Sequence, residues 1–169
     1  MNRQLTDHFS LDEMTHTDRG EFLLKNRQVS EDQINKLSEV AKLCEQVRSI
    51  LNCSMHVHSA YRCPELNAAV GSSGRSQHML CEATDFDRGG QDYTAEALDQ
   101  DFKTIIAAAR SGQIKFGQLI CESANRYTKN GTAVSRWLHI SLGAPWRPAE
   151  RCGQVLIMKN GVYETVCTI

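Results

Sequence analysis

Apolar residues at Ile34, Leu37, Ala41, Cys44, Val47 and Leu51 recur at three- and four-residue steps, which predicts a long amphipathic helix over 30–51. Ser30 followed by Gln33 is a capping-box start. The opposite face, with Glu31, Asp32, Lys36, Glu39, Lys42, Glu45 and Arg48, is that of a solvated scaffold helix with i, i+4 pairs. A second helix is predicted over 94–111, with Thr94 as cap, Ala97, Leu98, Phe102, Ile105, Ile106 and Ala109 on its apolar stripe, and Gly112 at its end. Ser10 and Glu13 repeat the capping box in a short helix over 9–14, and Pro64 suits the first turn of another, over 64–70. Residues 15–27 show no period and read as a loop that Phe22, Leu23 and Leu24 anchor to the core.

Elsewhere the pattern shifts to alternation. Strands are predicted over 55–61, from Thr84 onward, and over 116–122, 134–142, 154–158 and 162–166, with loops at 87–90 and 123–131. Asn130-Gly131 and Asn160-Gly161 are favoured turn dipeptides. If 116–122 and 134–142 pair as an antiparallel hairpin, one register puts Gln118, Ile120 and Glu122 on the face that carries Trp137, His139 and Ser141; a one-residue slip reverses it. His56 and His58 share a strand face, a spacing that can chelate a metal but is a weak signal by itself. The fold class expected is α+β: a small antiparallel sheet with flanking helices, in one domain spanning 1–169, with 1–29 as lead-in and 143–169 as a C-terminal hairpin that completes the sheet.

Composition narrows the function classes. A chain of 169 residues with net charge -1 has no bulk attraction for nucleic acid or anionic lipid, so no nucleic-acid partner is expected and recognition must come from a site. No apolar run of about 18 residues is present and the N-terminus lacks a signal-peptide core, so no membrane insertion is expected, and cytoplasmic synthesis is. Seven cysteines, an odd number without a CxxC pair, read as reduced thiols, several of them buried. No Gly-rich phosphate loop and no internal repeat appear.

The candidate chemistry centres on 76–86. A turn-rich lead-in, Gly71-Ser72-Ser73-Gly74-Arg75, delivers the chain to Ser76-Gln77-His78, and Asp85 follows seven positions after His78 at the start of a strand. On spacing alone these are either half of a metal site or a satisfied core histidine with an ordinary aspartate. With His139 from Trp137-Leu138-His139 they complete two imidazoles and a carboxylate, the usual three-ligand set of a catalytic zinc with one open position. Arg62, where strand becomes loop, is either functional or a surface ion-pair partner.

The ordered set Ser59-Ala60-Tyr61-Arg62-Cys63-Pro64-Glu65-Leu66-Asn67, Ser76-Gln77-His78, Ala83-Thr84-Asp85-Phe86 and Trp137-Leu138-His139 resembles the zinc D-Ala-D-Ala carboxypeptidase family. That family includes vancomycin-resistance D,D-dipeptidases and phage peptidoglycan endopeptidases, and shares its fold with the hedgehog signalling domain. His8-Phe9-Ser10-Leu11-Asp12-Glu13-Met14 and the strand ending at Glu122 look like its phage and prophage branch, and the resemblance runs to about Ser141. It implies a Zn2+ cofactor on His78, Asp85 and His139, Arg62 facing the substrate or an oxyanion, and Ser76 and Gln77 fixing the loop or touching substrate. It also implies hydrolysis of an amide bond in a peptidoglycan stem peptide or another D-amino-acid peptide; a monomer is expected, one that reaches the wall after phage-type release. A non-catalytic virion or structural module and a cytoplasmic D-Ala-D-Ala dipeptidase are the alternatives. Two positions depart from the family pattern. Arg136 stands where many members carry an acidic general base, which leaves Glu122 as the carboxylate for that role, and Cys81 stands where glycine is common.

Overall fold

A computed structural model of the chain describes residues 3–89, 93–128, 131–159 and 161–169, apart from the side chains at 125–128, 131–133 and 159. Five helices are described: α1 (Leu11–Met14), α2 (Gly20–Asn26), α3 (Glu31–Leu51), α4 (Pro64–Ala69) and α5 (Ala95–Arg110). The strands are β1 (Met55–Ser59), β2 (Ala83–Arg88), β3 (Gln118–Thr128), β4 (Gly131–Ser141), β5 (Gln154–Lys159) and β6 (Val162–Thr168). They form one sheet in the order β1-β2-β4-β3-β5-β6, antiparallel except where β5 runs parallel to β3. The α+β class is as expected; the parallel pair arises because 142–153 carries the chain back to the start of β3, where Gln154 pairs Gln118.

Alternation along the central strands sorts side chains between two faces. Leu119, Leu138, Ile140 and Val155 are buried in the core, together with Leu37, Val40, Ala41, Cys44 and Val47 of α3 and Leu98, Phe102 and Ile105 of α5. Ile120, Glu122, His139, Leu156 and Tyr163 line an open cleft. The capping boxes at Ser10/Glu13 and Ser30/Gln33 both form, because they need only residues three apart. The polar face of α3 is not purely solvated. Lys36 donates to Glu82 at 2.7 Å and to the Leu80 carbonyl at 3.3 Å, which ties the helix to the turn after His78.

Three expectations need correction. Residues 20–26 form helix α2 instead of a loop; Phe22 packs against the core as expected, but Leu24 is exposed, and the fully buried Asn26 anchors the segment as well. Its amide donates to the Thr15 and Tyr61 carbonyls and accepts from the Cys63 N–H, so one polar side chain joins α1 and α2 to the loop that carries Arg62. Residues 123–128 extend β3 and are not loop, since the hairpin ladder continues to Thr128 opposite Gly131. Asp87 and Arg88 belong to β2, where Arg88 pairs the buried Asp101 of α5, which also accepts from the Tyr93 hydroxyl. The two Asn-Gly turn expectations involve Asn130 and Asn160, which lie outside the described residues.

Asn26→Ala should strand those buried backbone groups. With about 1–3 kcal/mol lost per unsatisfied group, a loss on the order of 3 kcal/mol is expected. Thermal unfolding should show a fall of roughly 6–12 °C; a change within about 1 °C would remove Asn26 as the tie.

Candidate active site

β2 and β4 are neighbours, and their register sets Asp85 opposite His139, so both side chains leave the same sheet face. The turn between α4 and β2 brings His78 beside them. Nδ1 of His139 lies 2.9 Å and Nε2 of His78 3.3 Å from Oδ1 of Asp85, and the two imidazole centroids are 5.1 Å apart. All three side chains are buried. Burial alone would push the Asp85 carboxyl up, but the charge of His78 and the hydrogen bond from His139 hold it well below the usual carboxylate range.

Neighbours fix which nitrogen each imidazole presents. Nδ1 of His78 is 2.7 Å from the Ala60 carbonyl, which can only accept, so that nitrogen carries the proton and Nε2 offers its lone pair. Nε2 of His139 lies 3.0 Å from Oε1 of Gln77, whose own Nε2 donates to Oγ of Ser141 at 3.2 Å. Ser141, fully buried, also accepts from the Gln118 N–H at 2.9 Å and from Arg147 at 3.3 Å. The amide of Gln77 is thereby held with its oxygen toward His139, an acceptor for Nε2–H in the tautomer whose Nδ1 is free to bind a cation instead of donating to Asp85. Gly117 permits this packing: a Cβ there would stand 2.3 Å from the Leu142 carbonyl and 2.8 Å from Oγ of Ser141.

The convergent lone pairs are Nε2 of His78, Oδ1 of Asp85 and Nδ1 of His139, and a set of ligand atoms from these residues lies within 4.8 Å of one another. In tetrahedral zinc sites with bonds of about 2.0–2.1 Å, ligand atoms stand about 3.3 Å apart, so the donor set and its spacing fit zinc. Imidazole N–H groups bonded to a carbonyl and an amide oxygen are the usual outer support of metal-binding histidines. Gln77→Ala should therefore weaken zinc affinity about 10–100-fold, measured by competition with a chromogenic chelator, while Gln77→Glu, which keeps the acceptor, should retain most of it. Equal affinity in Gln77→Ala and the parent would show that Gln77 does not position His139.

Arg62 lies against the cluster as well as the cleft. Its guanidinium donates to Oδ2 of Asp85 and, at 2.7 Å, to Oγ of Ser59, and its backbone N–H bonds the His78 carbonyl. Oδ2 is thus occupied while Oδ1 faces the imidazoles. Ser76 accepts the His78 N–H on its hydroxyl at 3.3 Å, which shapes the loop. Glu122 pairs with Trp137 and Ile120 with His139, so the register puts Glu122 on the His139 face. Burial first, and Asp85 second, raise its carboxyl to about 7, against the opposing pull of His139 and Arg62. Arg136 borders the cleft, but alternation assigns it to the face opposite His139, and its charge acts on Glu96 at the start of α5.

The C-terminal hairpin is more than sheet completion. Tyr163 of β6 borders the cleft, and its hydroxyl acts on the Glu122 carboxyl, partly offsetting the rise that burial causes. No local signal marks it, because the contact depends on the parallel β3–β5 pairing. Cys81 has φ +58, the left-handed region that favours glycine. Its thiol is fully buried and burial pushes it up to about 12, so it behaves as a small apolar side chain.

The cleft, of 1010 Å³, runs past the triad and is bordered by Arg19, Arg62, Arg75 and Arg147 as well as by Glu122. It has room for a short peptide and an excess of cationic side chains suited to carboxylate groups. Residues 7–127 match the family described as Peptidase M15. That match takes in Arg62, His78, Asp85 and Glu122 and ends before His139, which joins the site through the β2–β4 register. No curated protein matches the chain.

Proposed function

The chain belongs to the peptidase M15 family of zinc metallopeptidases, and on that premise we propose that it hydrolyses an amide bond in bacterial cell-wall stem peptides. The observation that carries this reading is a buried His78, Asp85, His139 triad, with each ring's outer nitrogen fixed, at the wall of a peptide-sized cleft that also holds Glu122. Zinc in such a site supplies Lewis acidity, acidifying a water and polarising a scissile carbonyl.

The chain's own groups supply the rest. Glu122, with its carboxyl near 7, is suited to take the proton of the attacking water and return it to the leaving amine. Tyr163 of β6 stands in the same cleft and favours the ionised form of that carboxyl. Arg62 secures Asp85 and leaves guanidinium N–H groups toward the cleft for the developing oxyanion, where one donor can be worth about 3 kcal/mol. Arg19, Arg75 and Arg147 suit a substrate that carries free carboxylates, as stem peptides ending in D-amino acids do. Ser76 and Gln77 act on the ligand loop, Gln77 through His139.

In this reading the chain works as a monomer and reaches the wall through a separate release event, as phage enzymes do. Purified protein incubated with intact sacculi should liberate new amino groups, and free D-Ala-D-Ala should be the poorer substrate. Turnover of the dipeptide alone would identify a dipeptidase. Release from neither, by zinc-loaded protein, would leave a binding module.

A further inference from the structure

We propose that His56, His58 and Asp87 form a second site for a divalent transition-metal ion, separate from the His78 triad. His56 and Asp87 are register partners on β1 and β2, and the ladder shifts between Val57 and Ser59, where His58 sits at the irregularity. The shift leaves both imidazoles facing one carboxylate. Nδ1 of His56 is 3.4 Å from Oδ1 of Asp87 and Nε2 of His58 is 2.8 Å from Oδ2, with the ring centroids 4.7 Å apart.

The contact at His58 is the informative one. Its Nε2 is screened from solvent yet makes no hydrogen bond: although Asp87 is close, the approach is off the line that an N–H donor requires. A buried nitrogen without a hydrogen-bond partner costs stability unless something else satisfies it. A cation between the rings and the carboxylate does so, and ligand atoms of the three residues already lie within 4.8 Å of one another. Two imidazoles with one carboxylate select borderline metals such as Zn2+ over Ca2+ or Mg2+, which prefer oxygen ligands.

Asp87 follows Asp85 by two positions on β2, so the two clusters share a sheet face with backbones about 7 Å apart. The two clusters share no ligand residue, so each ion has its own set. His56 is more than half exposed, whereas the triad is buried, which makes the second site the weaker and the more readily stripped. An ion there would pin the edge strand β1 to β2 at the cleft wall that His58 borders.

The test is calorimetric titration of chelator-stripped full-length protein with zinc chloride, repeated with Co2+ for its absorption spectrum. The parent should take two equivalents, one tight and one weaker; His56→Ala/His58→Ala should keep only the tight one, and His78→Ala/His139→Ala only the weaker one. Cobalt at the weaker site should show no thiolate charge-transfer band. A single equivalent in the parent, a second that survives His56→Ala/His58→Ala, or a thiolate band at that site would overturn the proposal. None of these results bears on the tight site, whose loss is read separately in His78→Ala/His139→Ala.

Discussion

His78→Ala and His139→Ala should each lose the tightly bound equivalent of zinc and all measurable peptide hydrolysis while remaining folded. Each imidazole supplies one of the cluster's three protein ligands, and Asp85 with a single remaining imidazole does not retain a catalytic ion. The fold should survive because neither ring is a packing centre: removing His78 frees the Ala60 carbonyl, and removing His139 frees the Gln77 oxygen. Losses of about 1–3 kcal/mol are expected against a typical stability of about 5–15 kcal/mol. Metal content by atomic absorption, read with a thermal melt, separates the two effects. A folded His139→Ala protein with full zinc and full activity would move the site elsewhere.

Glu122→Gln should keep zinc and lose turnover by about 10²–10⁴-fold, the range for a positioned proton-transfer group. Its pH behaviour is the sharper readout. Burial and then Asp85 raise the carboxyl from 4.5 to about 7, so in the parent the rate should fall as pH drops through that region and Glu122 takes up its proton. Positive charge bound at the triad moves this acid limb lower, never higher. The stability linkage has the opposite sense: with a raised folded-state value, the parent loses stability as pH rises from about 4.5 through about 7, and Glu122→Gln should remove that loss. Near-parental kcat in Glu122→Gln would hand the proton to another group.

What could be read from the chain was mostly local. The capping boxes at Ser10 and Ser30, the Thr94 cap and the stripes of α3 and α5 depend on residues three or four apart, and all appear. The hairpin was legible but its register stayed conditional in the sequence; the observed pairing of Ile120 with His139 and Glu122 with Trp137 is the alternative that puts Glu122 on the His139 face. What was missed depends on contacts distant in sequence. Asn26 looks like any polar residue of an aperiodic stretch until the Tyr61 and Cys63 backbones arrive beside it. Ser141 acts through Gln77, 64 positions away, and Tyr163 meets Glu122 only because β5 joins β3 in parallel. Arg62 was expected to face substrate; it also secures Asp85, a role that needs the β1–β2 pairing. Cys81 adopts a positive φ, a backbone conformation that glycine takes most easily and that nothing in its own sequence neighbourhood announces.

The most direct test of the central claim is mass analysis of defined muropeptides treated with zinc-loaded protein, with protein verified to be metal-free, and with metal-free protein to which zinc is returned. A zinc peptidase built on His78, Asp85 and His139 predicts a single cleaved amide with a new free amine in the first and third samples and intact muropeptide in the second. Intact muropeptide in all three, or equal cleavage by the metal-free protein, would contradict it.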